Sequence, residues 1–285
     1  MKISNFLILT LASVSALVAC RTDAFVTYKE ADDPVAVSDR SKAAWVNIGK
    51  LEAVWASADS LYSRSEVPVV ERVEVNHLSG WKGERISAQL LLYTGNGADG
   101  VRCEVKDFRS SSSVMSADIA QARFVRYTIA DRGGMDCRCN RGPEMETILV
   151  PDMIDSLKVF NMDPRTVRPV WVTVNVPQDA EPGVYKSEIV VKSKGTSRIS
   201  LPFELEVVDQ VLPDYREWNF HLDLWQHPSA IARALNLELW SDEHFEAIKQ
   251  HMRPLAEAGQ KVITTTLNRD PWGYQCYDDY EHMII

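Results

Sequence analysis

The chain lacks an excess of basic residues: 31 Lys and Arg stand against 40 Asp and Glu among 285 residues, a formal net charge of −9. A protein that tracks nucleic-acid phosphates needs a basic surface, so this class of partner is disfavoured, and an uncharged or cationic partner fits better. With 45% hydrophobic and 25% charged residues, the composition also excludes a disordered protein. The length is sufficient for two domains.

Long apolar runs are absent beyond the N-terminus. Phe6 to Ala19 carries no charge, follows Lys2 and is shorter than a membrane span, as is typical of a secretory signal peptide. It closes on Leu17-Val18-Ala19-Cys20, which resembles the bacterial lipobox; the alternative is an ordinary signal peptide with a chance cysteine. We therefore predict a signal peptide over residues 1–19, lipidation of Cys20, and a membrane-anchored protein of the bacterial envelope, facing the periplasm or the cell surface.

Cysteine is scarce. The remaining four are Cys103, Cys137, Cys139 and Cys276. In an exported chain they are permitted to form disulfides, whose connectivity the sequence does not give. Cys137 and Cys139 have no histidine or second cysteine pair nearby, so a disulfide or two thiols is favoured over a zinc site. We expect no metal and no cofactor.

Alternating apolar and polar residues dominate from about Ala24 to Pro213. The segment from Val101 to Lys106 alternates strictly, which predicts a half-buried strand with Cys103 pointing into a core. The same period recurs in Ile86–Leu92, Val170–Val176 and Ile199–Val207, and turn-forming segments such as "GNGADG" separate the runs. The pattern predicts an antiparallel β-sandwich of the Ig or jelly-roll kind over residues 20–213.

After Pro213 the pattern changes. Trp218 to Trp225 and Lys261 to Leu267 are typical of strands, and apolar residues at helical spacing lie between them. Ser241 is the predicted N-cap of that helix, Pro254 is expected to kink or shorten its last turn, and Gly259 is its predicted C-terminal cap. Strand, helix and strand with a right-handed crossover imply parallel pairing, so residues 214–285 are predicted to form an incomplete α/β unit.

Several segments carry a family likeness. The stretches "FHLDLWQHP", "WSDEHFEAIKQHMRPLAEAGQKVITTTL" and "DPWGYQCYDDYEHMI" resemble the start of the catalytic barrel in glycoside hydrolases of family 123, which are β-N-acetylgalactosaminidase-like. The preceding "VPQDAEPGVYKSEIVV" is similar to the end of the β-sandwich domain before that barrel. The resemblance implies a sandwich followed by a (β/α)₈ barrel, with exo-acting cleavage of β-linked N-acetylgalactosamine through an adjacent Asp-Glu pair and the sugar's own acetamido group.

That catalytic pair is expected on a later barrel strand. A (β/α)₈ barrel takes about 250 residues, and residues 214–285 supply only its first strand-helix-strand. Asp242-Glu243 and Asp278-Asp279 do not match the family pair in context, so no catalytic residue is assigned, and the chain is expected to be the inactive N-terminal portion of an exported glycoside hydrolase. Whether it acts as an enzyme is left open, as is its oligomeric state.

A second hypothesis is a lipid-anchored β-sandwich that binds carbohydrate without catalysis. It requires an exposed aromatic platform, for which the candidates are Trp45, Trp55, Trp81 and Trp171. A purely structural envelope protein is the third possibility.

Candidate substrate-binding residues cluster at the predicted mouth of the barrel. Alternation places Asn219, His221, Asp223 and Trp225 on one strand face, which is assigned to the barrel interior because the outer face packs on helices. An alternative makes His221 and Asp223 a satisfied buried pair, and a metal site is disfavoured. Including the two strand-to-helix loops, the predicted glycan-binding residues are His221, Asp223, Trp225, His227, Asp270 and Trp272.

Overall fold

The structure is a computed structural model that describes residues 30–131, 147–195, 197–224, 226 and 228–262. Its elements, in chain order, are α1 (Asp39–Trp45), β1 (Glu52–Ala56), β2 (Asn76–Lys82), β3 (Arg85–Thr94), β4 (Ala98–Val105), β5 (Phe108–Arg109), β6 (Val114–Met115), β7 (Ala120–Asp131), β8 (Thr147–Ile154), β9 (Phe160–Met162), β10 (Thr166–Asn175), β11 (Gly183–Lys192), β12 (Ile199–Val211), α2 (Pro228–Leu235) and α3 (Asp242–Glu257). Short 3₁₀ helices lie at Ala117–Ile119 and Tyr215–Glu217.

The strands form two sheets. One has the order β1-β3-β10-β7-β8, and the other has the order β2-β12-β11-β4-β9, where β5 also pairs with β11 and β6 pairs with β5. The described pairs are antiparallel, except that β2 runs parallel to β12. The four strands predicted from period-two alternation coincide with parts of β3, β4, β10 and β12, and the predicted pair of facing sheets is confirmed.

The main core lies between the sheets. Leu90 and Leu92 of β3, Val172 of β10 and Phe203 of β12 are fully buried in it. The Phe203 ring meets the edge of Trp55 at a centroid distance of 5.7 Å, and such edge-to-face pairs stabilise a core beyond the area they bury. The residues that alternate inward in the sequence therefore build this core.

A second layer covers part of the outer face of the five-stranded sheet. Leu91 and Tyr93 of β3 point away from the main core, yet they are buried with Trp45 of α1 in a separate cluster. The layer also approaches the turn after β3, where a Cβ added at Gly95 would lie 1.7 Å from the Ile48 carbonyl oxygen. Only glycine fits at this contact, so the second layer is fitted closely to the sheet.

A buried ion pair holds the first described residue to this sheet. The Arg168 guanidinium donates to both Glu30 carboxylate oxygens at 2.6 and 2.7 Å, and to the Val125 carbonyl at 2.8 Å. The Tyr127 N–H also donates to Glu30. Burial would raise the Glu30 pKa, but the Arg168 hydrogen bonds and charge outweigh it and lower that pKa below its ordinary value.

The predicted helix after the sandwich is confirmed as α3. The Ser241 hydroxyl accepts a hydrogen bond from the His244 N–H at 3.2 Å, as an N-cap does. Gly259 follows the C-cap with φ +101°, a conformation that favours glycine. The helix continues through Pro254 to Glu257, so the proline does not end it there.

The strand predicted over Trp218–Trp225 is wrong for the described part of that segment. Leu222 forms a single parallel bridge with Gln260, and no described residue of the segment belongs to a strand. The bridge is parallel, as predicted. A barrel strand needs several consecutive paired residues, however, and the described chain after Pro213 has this single bridge. The second predicted strand lies mostly outside the described residues. No helix among those described is long and apolar enough to cross a membrane.

Candidate functional site

The predicted glycan-binding residues divide into two groups. His221 and Asp223 lie between the second 3₁₀ helix and α2, and both are exposed. The other predicted site residues, Trp225, His227, Asp270 and Trp272, fall outside the described residues, together with the predicted lipidation site Cys20. The structure therefore places two of the six candidates on the same surface segment.

The described residues do not test the predicted facing of that segment, because a barrel interior is enclosed only where further strands surround it. Asn219, His221 and Asp223 are exposed, so the alternative of a buried pair at His221 and Asp223 is wrong. Phe220 was expected to pack outward against a helix, but it is 56% exposed. Without a continuous neighbouring strand, neither face of the segment is covered by described residues.

Local contacts anchor the start of this segment. Asp214 caps the 3₁₀ helix by accepting from the Arg216 N–H at 2.9 Å, and the Arg216 guanidinium donates to the same carboxylate at 2.8 and 2.6 Å. These hydrogen bonds lower the Asp214 pKa to about 2. The Trp218 indole donates to the Pro213 carbonyl at 2.9 Å, and its ring stacks on Phe220 at 5.1 Å. The chain between the sheets and His221 is therefore held by short-range bonds.

The chain leaving α3 returns to this segment. A Cβ added at Gly259 would lie 2.8 Å from the Trp218 ring, so the absence of a side chain lets the ring pack on the turn. The Lys261 ammonium then donates to the Trp218 carbonyl at 2.5 Å, beside the bridge from Gln260 to Leu222. His221 and Asp223 flank that bridge and present an imidazole and a carboxylate to solvent.

His244 joins the two helices. It is fully buried, and its Nδ1 accepts from the Trp240 N–H at 3.0 Å, while Nε2 lies 2.8 Å from the Pro228 carbonyl oxygen. A carbonyl only accepts, so Nε2 carries the proton and both ring nitrogens are satisfied in the neutral form. The bond also supports Trp240, whose φ of +64° is strained for a bulky residue. His244 is therefore a packing residue between the two helices.

The described residues hold no metal cluster and no family-type acid pair. No group of three or more His, Cys, Asp or Glu among them is placed to hold a metal ion. Asp242 and Glu243 are exposed in the first turn of α3, where acids favour the helix dipole. Asp278-Asp279 lies outside the described residues. The site therefore offers groups that hydrogen-bond a sugar, without two carboxyl groups positioned across a glycosidic bond.

The candidate aromatic platform on the sandwich is mostly absent. Trp45 and Trp55 are 3% and 2% exposed and form part of the two cores. Trp81 is 43% exposed at the end of β2, while Trp171 is half-buried on the outer face of β10. These two indoles lie in different sheets, so the described sandwich presents no row of exposed tryptophans.

Family models match the two parts of the chain. The glycoside hydrolase 123 N-terminal domain matches residues 55–193, and the glycoside hydrolase 123 catalytic domain matches residues 225–285. A β-sandwich followed by catalytic-domain sequence defines the class as glycoside hydrolase. The chain belongs to glycoside hydrolase family 123.

Among solved structures, a family 123 glycoside hydrolase from Clostridium perfringens, reported for glycolipid glycan hydrolysis, has a TM-score of 0.72 and 22% identity. The match covers 82% of this chain and 41% of that one, so the chain spans less than half of that enzyme's length. Two further structures have lower scores. PapD-like domain 7 of human CEP192 has a TM-score of 0.29 and 11% identity, and the match covers 64% of this chain and 96% of that one. The periplasmic chaperone SfaE has a TM-score of 0.27 and 6% identity, and the match covers 53% of this chain and 63% of that one. No curated protein matches the chain.

Proposed function

We propose that this chain is the N-terminal portion of an exported glycoside hydrolase acting on β-linked N-acetylgalactosamine-type glycans. The observation that carries the proposal is the catalytic-domain match over residues 225–285, directly after a sandwich that matches the family's N-terminal domain. The similar Clostridium perfringens enzyme acts on glycolipid glycans, which supports a glycan substrate.

In this proposal residues 214–285 open a (β/α)₈ barrel. The order of a parallel bridge at Leu222, the helix α3 and the returning residue Gln260 supports it, because this is the connection of a barrel's first unit. A complete barrel needs about 250 residues, so this chain alone binds glycan without hydrolysing it. In this proposal the signal peptide comprises residues 1–19, the sandwich domain residues 20–213 and the start of the barrel residues 214–285.

The substrate contacts are assigned to the loops at the barrel mouth. The exposure of His221 and Asp223 supports a role in hydrogen bonding sugar hydroxyls, since neither side chain is enclosed by the described chain. We assign Trp225, His227, Asp270 and Trp272 to the same pocket, where the indoles provide apolar faces for sugar rings. Lipidation at Cys20 anchors the protein in the bacterial envelope, so that the pocket meets glycans at a membrane surface.

The test combines turnover with binding. With a chromogenic β-N-acetylgalactosaminide we expect no release of chromophore, and by calorimetry we expect binding of a short N-acetylgalactosamine-terminated glycan. Asp223→Ala should weaken that binding about tenfold, through the loss of a charged hydrogen-bonding group, while Asp179→Ala, an exposed acid on the sandwich, should leave it unchanged. Turnover by this chain would refute the assigned inactivity, and equal affinities of the two variants would refute the assigned pocket.

A further inference from the structure

A cleft of about 600 Å³ opens at the edge of the sandwich, between the two sheets. Residues 102–105 of β4 and 120–123 of β7 line its two sides, and residues 156–159 after β8 complete it. The volume lies within the range of small-ligand pockets. This cleft is remote in sequence from the barrel-mouth residues, and neither His221 nor Asp223, the two of them that the structure describes, lines it.

Both strands present an open edge to the cleft. Residues 102–105 pair with β11 on one side, while β9 on the other side reaches only Ala98 and Val101. Residues 120–124 pair with β10, and β8 begins its pairing at Val125. Within the described ranges, therefore, no strand pairs with the cleft side of either segment. Such edges carry backbone N–H and C=O groups that are available for hydrogen bonding.

Three cations line the cleft without an acid partner. Arg102, Arg123 and Lys158 are exposed, and none of them forms an ion pair with another residue that the structure describes. The Arg123 Nε donates to the Gln121 side-chain oxygen at 2.9 Å, which leaves the rest of its guanidinium directed to solvent. Unpaired cations around a concave site raise the local concentration of anions.

The two carboxylates of the cleft do not balance this charge. Lys192 binds Glu104 at 2.8 Å and Lys106 binds it at 3.2 Å, and the hydrogen bond from Lys192 lowers the Glu104 pKa. Asp118 accepts a hydrogen bond from the Ser116 hydroxyl at 3.0 Å. The residues that line the cleft thus comprise three cations and two carboxylates, and Lys106 and Lys192 already bind one of these carboxylates, so the lining carries a local excess of one positive charge on a chain whose net charge is −9. The overall charge does not describe this site.

We propose that this cleft binds an acidic glycan through a carboxylate or sulfate group held by Arg102, Arg123 and Lys158. Small and apolar side chains line the cleft between the cations and suit the C–H face of a sugar ring: Val105, Ala120, Ala122, Leu157 and Val159. Edge N–H groups supply donors for ring hydroxyls. A glycan is favoured over an extended peptide because the chain belongs to a glycoside hydrolase family and the two open edges belong to different sheets. The inference rests on family membership and is independent of the proposed substrate of the barrel.

Calorimetry on the full chain, without turnover, tests this site. The probes are sialyllactose for the carboxylate, N-acetylgalactosamine 6-sulfate for the sulfate, and lactose as the neutral control. We expect at least one acidic sugar to bind about tenfold or more tightly than lactose, and its affinity to fall about tenfold between 50 and 500 mM salt. Equal binding of lactose, or binding insensitive to salt, would overturn the proposal. So would tighter binding of inorganic sulfate or of an acidic peptide than of either acidic sugar.

Two variants locate the binding. Arg102→Gln/Arg123→Gln should lower the affinity for the acidic sugar about tenfold or more, because it removes charge-assisted hydrogen bonds. Ser156→Trp should lower the same affinity by filling the cleft without changing its charge. The matched control is Arg40→Gln/Lys50→Gln, which removes two exposed cations elsewhere on the chain. All five substituted positions are on the surface, so an unchanged Tm confirms that the fold is kept. Equal losses in the control and the cleft variants would refute the location.

Discussion

Removing Glu30 should destabilise the sandwich more than removing any exposed acid. Glu30→Gln leaves the Arg168 guanidinium, whose side chain is 4% exposed, buried without its counter-charge. Breaking one partner of a buried pair costs about 3–5 kcal/mol. With a urea m-value of about 2–3 kcal/mol/M, the midpoint of unfolding should fall by about 1–2.5 M.

The control is an exposed pair of the same chemistry. Glu246 binds Lys249 at 2.5 Å, with side chains 65% and 68% exposed, and Glu246→Gln should cost less than about 0.5 kcal/mol. The Glu30→Gln/Arg168→Met double variant should recover most of the loss, because the buried Arg168 charge is then removed together with its partner. A Glu30→Gln midpoint equal to that of Glu246→Gln would show that the ion pair contributes nothing.

The same pair predicts a pH dependence. The Glu30 pKa is lowered on folding, so the unfolded chain binds a proton more readily than the folded one in the acid range. The stabilisation is therefore fully present above the ordinary carboxyl pKa of 4.5 and is lost as the pH falls through the lower pKa of the folded state. Urea midpoints measured from pH 7 to pH 3 should fall more steeply for the native chain than for Glu30→Gln, and parallel curves would contradict the assignment.

Two further predictions concern packing and thiol reactivity. Gly95→Ala should lower the free energy of unfolding by about 3 kcal/mol, because the Ile48 main chain must move. Gly49→Ala, whose added carbon meets its nearest neighbour at 3.5 Å, should cost far less, and similar urea midpoints would refute the close fit. Desolvation raises the pKa of the half-buried Cys103 thiol to about 12, so little thiolate exists at pH 8 and iodoacetamide should alkylate it much more slowly in the folded than in the unfolded chain, as peptide mass spectrometry reports; equal rates would contradict the raised pKa.

Alternation predicted the main core because strand side chains point to opposite faces, so that Leu90 and Leu92 could be assigned inward. It did not predict burial of Leu91, since that requires knowing that α1 and the following segment cover the other face. Trp45 was misjudged as a platform candidate for the same reason, whereas Trp55 lies in the main core between the two sheets. The continuous apolar run Leu90-Leu91-Leu92-Tyr93 is nevertheless the pattern of a strand covered on both faces.

The region after the sandwich was predicted less well. Ser241 and Gly259 define α3 by local chemistry, which sequence shows directly. The strand expected before α3 needs neighbouring strands to pair with, which the sequence of the segment itself does not show. In the structure only Leu222 of its described residues forms a bridge. The helix α2 was missed, although Pro228 at its first position followed by good helix formers is a recognisable start signal. The cleft was also missed, because net charge says nothing about where cations gather.

The parallel pairing of β2 with β12 has a consequence for how the chain matures. Strand β2 finds its only described neighbour in β12, near the end of the sandwich sequence, and the Trp55 indole donates to the Pro202 carbonyl 147 residues away. Contacts between residues so far apart in sequence make folding of the sandwich slow, because the early strands cannot complete their sheet before the late strands are available. A nascent chain therefore stays open until β12 has emerged, so the sandwich closes only when nearly all of its sequence has been synthesised.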